Sequence, residues 1–318
     1  MHRSPRFLQN PAAGPSDDRA DARAALLRTS ASASPKLFYD KLGSHLFEAI
    51  TELPEYYPTR TEAAIFAAHG AAMAREVGVG ATLIDLGAGN CAKATRLFPL
   101  LEPGQYVAVD ISVDFLHEAL RRVQREHPAL DVVGLGLDFS QSLDLPPAVV
   151  EHRPVFFYPG SSIGNFTPDE ALVFLKRVRE QADGGGLLIG IDLVKPAPVL
   201  EAAYDDALGV TAAFNLNLLR HLNRLIGADF DPRAWRHIGL YNAPMSRVEM
   251  HLEARAELTV RWPGGERAFA AGERIHTENS CKYTVDGFAA LLQQAGFAKP
   301  QHWTDERGWF AVFWASAD

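Results

Sequence analysis

The segment Asp85-Leu86-Gly87-Ala88-Gly89-Asn90-Cys91-Ala92 sets a carboxylate, two glycines and a small residue where a short apolar run gives way to a helical pattern. Its spacing fits GxGxxG/A, in which the glycines let a ligand approach the backbone closely. Asp110 closes the next apolar run 23 residues after Gly87, where an acidic side chain can receive ribose hydroxyls. Taken alone, the pattern suits a dinucleotide, S-adenosylmethionine or a buried turn with no ligand. Two features favour S-adenosylmethionine. A carboxylate at Asp85 would repel a pyrophosphate and attract a sulfonium and an ammonium. Asp138-Phe139, after the third run, offers an acceptor for an adenine amino group beside a ring for stacking. Lys93, in the first turn of the following helix, reads either as a surface lysine or as a charge-assisted partner of the cofactor's carboxylate.

Placing that loop requires alternating strands and helices. Helices are expected over 63–77, 92–101, 115–126 and 168–181, and strands over 81–86, 106–110, 131–138, 155–158 and 187–193. This order predicts a Rossmann-like α/β fold with a parallel sheet and right-handed crossovers. The alternation stops after Lys195-Pro196-Ala197-Pro198. One or two helices are expected over 204–225, a strand over 248–260 and a turn at Trp262-Pro263-Gly264-Gly265-Glu266, which together read as a separate antiparallel unit. A helix over 285–295, stopped by Gly296, and a hairpin of 299–303 with 309–314 return to the first pattern. Residues 37–62 are rich in aromatics and prolines; 43–50 reads as helical, whereas Leu53-Pro54-Glu55-Tyr56-Tyr57-Pro58 does not suit a helix interior. The first 22 residues show no sustained period and are expected to form a mobile arm. No internal repeat is present.

A chain of 318 residues suggests about two domains. With 47% hydrophobic and 22% charged residues it can build a packed core, which excludes disorder, collagen and a disulfide scaffold. The net charge of -8 argues against general binding to nucleic acid or an anionic membrane. Cys91 and Cys281 lack CxxC spacing, and none of the 11 histidines shows HxxxH or HxH spacing, so no metal is expected. There is no apolar signal segment and no uncharged apolar stretch of the ~18 residues a bilayer span needs, so the expected location is the cytoplasm.

Several segments together carry a more specific signal: FYDKLGSHLFEAITELPEYYPTRTE, DLGAGNCAKATRLF, YPGSSIGNFTP, YDDALGVTAAFNLN, RVEMHL, TENSCKY and WTDE. Their order and spacing resemble the histidine N-alpha-methyltransferases of ergothioneine biosynthesis, bacterial enzymes that trimethylate histidine to hercynine. The resemblance runs from about Lys36 to the C-terminus. It implies a class I methyltransferase sheet with an inserted α+β substrate-binding domain. Residues 1–22 then form the arm, 23–60 with 197–284 the substrate-binding domain, and 61–196 with 285–318 the S-adenosylmethionine-binding domain. The resemblance sets Gly87, Lys93, Asp110, Asp138 and Phe139 on cofactor positions. Asn165 and Tyr204 fall where the family holds the substrate carboxylate and amine region, Tyr56, Glu278 and Ser280 where it holds the imidazole, and Met250 in the side-chain pocket. Tyr39 matches a tyrosine near the methyl-accepting nitrogen, so Tyr39 and Asn165 are the candidates for catalytic roles. One departure is Ser162, where some relatives carry Thr. The implied reactants are L-histidine and S-adenosylmethionine, the by-product is S-adenosylhomocysteine, and the chain is expected to act as a monomer.

The implied reaction is an in-line displacement at a sulfonium methyl by a neutral amine. It needs alignment and partial desolvation more than a strong base, because an α-amino group titrates near ~8, and no catalytic histidine is expected. If 278–280 is extended, Glu278 and Ser280 share a face and can complement the two ring nitrogens. Local alternatives remain at each position. Glu278 could pair with Lys282, Asn165 could cap the helix starting near Thr167-Pro168, and Tyr39, Tyr56 and Tyr57 could be packing aromatics or a lid-like wall over the amine. Other readings of the whole chain are methylation of another aromatic amino acid such as tryptophan, a non-catalytic S-adenosylmethionine-binding protein, and a nicotinamide oxidoreductase.

Overall fold

The structure, a computed structural model, describes residues 3–9, 18–149 and 152–317. Its strands are β1 (Arg6–Gln9), β2 (Thr82–Leu86), β3 (Gln105–Asp110), β4 (Asp131–Gly136), β5 (Pro154–Tyr158), β6 (Gly186–Asp192), β7 (Trp235–Asn242), β8 (Arg247–Ala254), β9 (Leu258–Trp262), β10 (Gly265–Phe269), β11 (Arg274–Cys281), β12 (Ala298–Thr304) and β13 (Phe310–Ser316). Its helices are α1 (Asp18–Leu27), α2 (Lys41–Thr51), α3 (Tyr57–Val77), α4 (Ala92–Thr95), α5 (Phe98–Leu101), α6 (Val113–Glu126), α7 (Pro168–Gln181), α8 (Ala197–Ala202), α9 (Val210–Ile226) and α10 (Val285–Gln294). They fall into two compact units.

The first unit holds Pro58–Val194 and the segment from Lys282, together with β1. Its eight strands run in the order β1-β4-β3-β2-β5-β6-β13-β12. Neighbours from β1 to β6 are parallel, β13 is antiparallel to β6, and β12 is antiparallel to β13. The central strands are apolar throughout because side chains alternate between two buried faces. Ile84, Val107, Val133, Phe156 and Ile189 belong to one core. Leu83, Ala108, Val132, Phe157 and Leu188 belong to the other. Burying a side chain of the size of Phe156 or Phe157, both wholly inaccessible, contributes about 1.5–3 kcal/mol.

Three local features differ from the sequence pattern. Arg6–Gln9, inside the stretch expected to be mobile, pairs in parallel with β4. Phe7 stacks on His117 at 3.6 Å, and Arg6 Nη2 lies 2.8 Å from Asp131 Oδ2. Four residues are too few to show a strand period, so the pairing is set by the partner edge rather than by local pattern. The rest of the expected arm up to α1, residues 1–2 and 10–17, lies outside the described residues apart from 3–5. The helix expected over 92–101 is two short helices, α4 and α5, with Pro99 near the start of the second. Proline has no N–H to donate back to the preceding turn, so a single helix does not run through it. The helix expected from residue 63 starts at Tyr57. Pro58 is accommodated in its first turn, where an N–H would have no intrahelical partner.

The second unit holds the chain from α1 to Tyr57 and Lys195–Cys281. A three-stranded antiparallel sheet, β11-β8-β7, is accompanied by the hairpin β9-β10. The strand expected over 248–260 is split into β8 and β9. The turn expected at 262–266 is the hairpin connection, with Trp262 paired to Gly265. Helix α9 begins at Val210 because Asp206 accepts from Val210 N at 3.0 Å and Thr211 N at 2.7 Å, satisfying donors of its first turn. This leaves Tyr204 in the turn between α8 and α9. Burial alone would raise the Asp206 carboxyl, but those N–H bonds prevail and hold it below the usual range.

Candidate active site

In the first unit, β2 delivers the chain to Gly87, whose φ of +71° is left-handed backbone that glycine adopts without strain. A Cβ there would lie 3.9 Å from the Phe139 ring, so the missing side chain leaves the backbone edge open toward that ring. Asp110, at the end of β3, accepts from Gly89 N at 2.9 Å and from Ser112 N at 2.8 Å, tying the glycine turn to the next strand. Burial raises its carboxyl above the ordinary range, against the pull of the Ser112 and Gly89 N–H groups. Asp138 is held by Ser140 N and Gln141 Nε2, each at 3.1 Å, and Phe139 meets Tyr158 edge-on at 5.6 Å. Two fixed carboxylates, an open glycine edge and a ring braced from behind fit the nucleoside of S-adenosylmethionine in chemistry.

Asp85 takes a different place from the carboxylate imagined beside a sulfonium. It is 2% exposed and accepts from Tyr106 Oη at 2.7 Å. Burial lifts its pKa to about 7, partly offset by the Tyr106 hydrogen bond. Lys93, half-buried, places its Nζ 2.7 Å from Oε2 of Glu62, a side chain that is 1% exposed. The other Glu62 oxygen accepts from Gly160 N at 2.7 Å.

Gly160 opens the turn that carries Asn165. Ser161 Oγ accepts from Asp192 N at 2.8 Å, and a 3-10 turn follows over Ser162–Asn165. Asn165 does not cap the next helix. Thr167 does, in a reciprocal capping box with Glu170. Thr167 is the better fit because Pro168 occupies the first helical position and Glu170 the third. Asn165 is half-buried, and among the described residues no hydrogen bond engages its side chain.

In the second unit, Met250, Glu278 and Ser280 lie on one face of the β7-β8-β11 sheet. Glu278 is paired with Met250 and Ser280 with Val248, and cross-strand partners share a face. A bulge at Thr277 interrupts the register between His276 and Glu278. His276 therefore faces with His251, the two rings 5.1 Å apart, while Glu278 is turned to the opposite side. Thr277, fully buried, donates its Oγ1 proton to Met250 O at 3.0 Å. Met250, Glu278 and Ser280 are all buried.

Tyr204 is brought to this face by its backbone. His237 Nε2 lies 2.7 Å from Tyr204 O, and His237 Nδ1 lies 2.8 Å from Asn215 Nδ2. A carbonyl only accepts and an amide nitrogen only donates, so the ring is the neutral tautomer with its proton on Nε2. Burial also lowers the His237 pKa, against the Tyr204 carbonyl. Gly239, paired with Met250, has no room for a side chain, since a Cβ would sit 2.7 Å from Tyr204 O. The Tyr204 hydroxyl donates to Ser280 Oγ at 2.7 Å. An aromatic chain continues from Tyr204 to Tyr56 at 6.3 Å, Tyr56 to Phe47 at 6.2 Å, and Phe47 to Tyr39 at 5.7 Å. Tyr57 has its Oη 2.8 Å from Lys195 Nζ. Lys282, the residue a local reading pairs with Glu278, has its ammonium 2.8 Å from Asp192 in the first unit, both side chains inaccessible.

Sequence reasoning missed Glu62, Tyr106, Phe47, Asn215, His237 and Gly239. Glu62 sits in an otherwise bland helical stretch, 31 residues from Lys93, and nothing local distinguishes it. Residues 235–242, WRHIGLYN, do not alternate apolar and polar, so the strand around the glycine left little local signal. Among the described residues no cluster of three or more His, Cys, Asp or Glu could hold a metal ion, and no helix is long and apolar enough to cross a membrane.

Comparison with known proteins identifies the family. A model of the histidine-specific, S-adenosylmethionine-dependent methyltransferase family matches residues 18–317. The histidine N-alpha-methyltransferase of Mycolicibacterium smegmatis is 40% identical over 301 residues, covering 92% of this chain and 93% of that protein. The enzyme of the same name from Mycobacterium tuberculosis is 38% identical over 92% of this chain and 93% of its own length. Ergothioneine biosynthesis protein 1 of Neurospora crassa is 32% identical over 84% of this chain, which spans 31% of that longer protein. With that family's model matching residues 18–317 and two relatives at 38–40% identity over 92% of its length, the chain belongs to the histidine-specific, S-adenosylmethionine-dependent methyltransferases.

Proposed function

We propose that this chain transfers three methyl groups in succession to the α-nitrogen of L-histidine, yielding hercynine, a step of ergothioneine biosynthesis. The observation that carries the substrate assignment is the pairing of Glu278 with Met250 beside Ser280, on the face to which Tyr204 is hydrogen-bonded. S-adenosylmethionine, when bound, supplies a methyl group on a sulfonium, an already good leaving group. Gly87, Asp110, Asp138 and Phe139 would hold its nucleoside, and Lys93 its carboxylate.

The second unit is the substrate-binding domain in this reading. Glu278 accepts the imidazole N–H. Tyr204 occupies an acceptor position of Ser280 Oγ, which biases that hydroxyl toward donating to the other ring nitrogen. Together they favour a neutral imidazole, which can donate to one group and accept from the other, over side chains that cannot do both. Asn165 offers a neutral donor to the substrate carboxylate, whereas the one O–H proton of Tyr204 is given to Ser280. A neutral donor adds no positive charge to a site that must also accept a sulfonium. Tyr56 and Met250 shape the ring pocket, and Tyr39 lies near the accepting nitrogen. Alignment of that nitrogen does most of the work, and pre-organisation of this kind can contribute up to roughly 7–11 kcal/mol.

The test is direct. The purified chain is incubated with L-histidine and S-adenosylmethionine, and the products are weighed by mass spectrometry. Gains of one, two and finally three methyl groups on histidine are expected, with tryptophan unchanged. A histidine pool that stays unmodified while S-adenosylhomocysteine binds would reject the substrate assignment.

A further inference from the structure

We propose that Glu62 is a positioning residue for the methyl transfer, a single carboxylate that fixes the Lys93 ammonium and the Gly160 turn relative to each other. The inference rests on the reading of Lys93 as the residue that meets the cofactor's carboxylate. Glu62 is 1% exposed and uses both oxygens: Oε2 lies 2.7 Å from Lys93 Nζ and Oε1 accepts from Gly160 N at 2.7 Å. The space for it is built in, because a Cβ on Gly190 would lie 2.1 Å from Glu62 Oε1. A Cβ on Gly160 would lie 2.8 Å from Lys93 Nζ, so the ammonium and the turn are packed against one another as well as bonded to the same acid.

Two consequences follow from the chemistry. A lysine side chain has four rotatable bonds and loses rotamer freedom when held. Pairing with a buried carboxylate, itself fixed by a backbone N–H, holds the ammonium before any ligand arrives. The turn held by the other oxygen continues from Gly160 through Ser161 to Asn165. Glu62 therefore acts through Lys93 on the cofactor and through Gly160 on the segment that carries Asn165, touching neither reactant.

The test uses the full-length chain and isothermal titration with two probes, S-adenosylhomocysteine and 5′-methylthioadenosine, which lacks the amino-acid portion. Glu62→Gln keeps an oxygen for Gly160 N but faces Lys93 with an amide. It is expected to weaken S-adenosylhomocysteine about tenfold, because the Lys93 ammonium is no longer held in place, and to leave 5′-methylthioadenosine unchanged. Lys93→Met should do the same, and the double variant should be no weaker than Lys93→Met alone. Glu62→Ala loses the Gly160 bond too and should add a severalfold rise in the histidine KM that Glu62→Gln lacks. Unchanged or tighter S-adenosylhomocysteine binding in Glu62→Gln would overturn the proposal, as would equal losses for both probes, which signify a merely structural role. A wild-type chain that binds S-adenosylhomocysteine without methylating histidine would instead reject the substrate assignment and leave this test intact.

Discussion

Glu278 lies opposite Met250 across the β8–β11 ladder only because Thr277 is bulged out of register. In an unbroken ladder Thr277 would take the place opposite Met250, and Glu278 would fall opposite Glu249 on the other face. The bulge avoids that pairing of like charges and turns the acid to the side where Ser280 and Tyr204 meet. Thr277 secures it with a buried hydroxyl bond to Met250 O. Thr277→Val is nearly isosteric and leaves that carbonyl without its side-chain donor. It is expected to cost about 1–3 kcal/mol of stability and to raise the histidine KM severalfold. Urea unfolding and steady-state kinetics check the two effects separately; an unchanged KM would mean the bulge holds without the threonine.

Glu278→Ala removes the acceptor for the imidazole N–H. Loss of a hydrogen bond to a charged group is worth about 1.5–3 kcal/mol, so the histidine KM should rise by an order of magnitude or more. The Kd for S-adenosylhomocysteine should stay within about twofold, a change too small to represent a lost contact. Equal losses for both ligands would show that the two pockets are not separate.

His237 and Gly239 meet the Tyr204 backbone, and Ser280 meets its hydroxyl. Gly239→Ala would press a methyl group on Tyr204 O, a backbone atom that cannot rotate away. It is expected to destabilise the chain by about 1–3 kcal/mol and to raise the histidine KM. Tyr204→Phe, which loses only the hydroxyl on Ser280, should raise the KM without the stability loss. Thermal melts of both variants beside their kinetics distinguish positional from chemical damage.

The glycine turn, Asp110 and Asp138 were legible because each is announced by its own neighbours: a strand end, a helix start, a carboxylate at the junction. The shared face of Glu278 and Ser280 was legible from their spacing, given an extended chain. The bulge beside them was not, since Thr277 is an ordinary strand residue whose displacement is decided by β8. The pairing of Lys93 with Glu62, and of His237 with the Tyr204 backbone, joins residues 31 and 33 positions apart and left no local trace. Asn165 looked like a cap because asparagine caps well, but Thr167 completes a box with Glu170 and prevails. Strand β1 was missed because four residues carry too little pattern to compete with the prolines after them.

That strand has a measurable role. Deleting residues 1–9 removes the parallel partner of β4, the Phe7 stack on His117 and the Arg6–Asp131 contact. The exposed ion pair contributes little, whereas the lost ladder bonds leave the β4 edge open for pairing with other chains. The truncated chain should melt several degrees lower, at about 2–4 °C per kcal/mol lost, and should aggregate more readily by light scattering. An unchanged melting temperature would mean that β1 adds no net stability.

Asp85 makes stability depend on pH in a direction opposite to most carboxylates. Its pKa in the folded chain is about 7, against 3.8 for the ordinary group. Between these values the folded state keeps a proton that the unfolded state has released, so stability falls as pH rises from about 4 to about 7 and is then level. The shift corresponds to a loss on the order of 4 kcal/mol at one pKa unit per 1.36 kcal/mol. Asp110, also raised by burial, titrates with the same sign, so the wild-type slope alone does not isolate Asp85. Asp85→Asn does isolate it, because the amide can still accept from the Tyr106 hydroxyl and has no charge to bury. Urea midpoints at pH 5 and pH 8 should separate the two proteins, with Asp85→Asn more stable than wild type at pH 8 and the advantage shrinking toward pH 5. A constant difference across that range would show that Asp85 does not titrate there and that the Tyr106 hydrogen bond outweighs its burial.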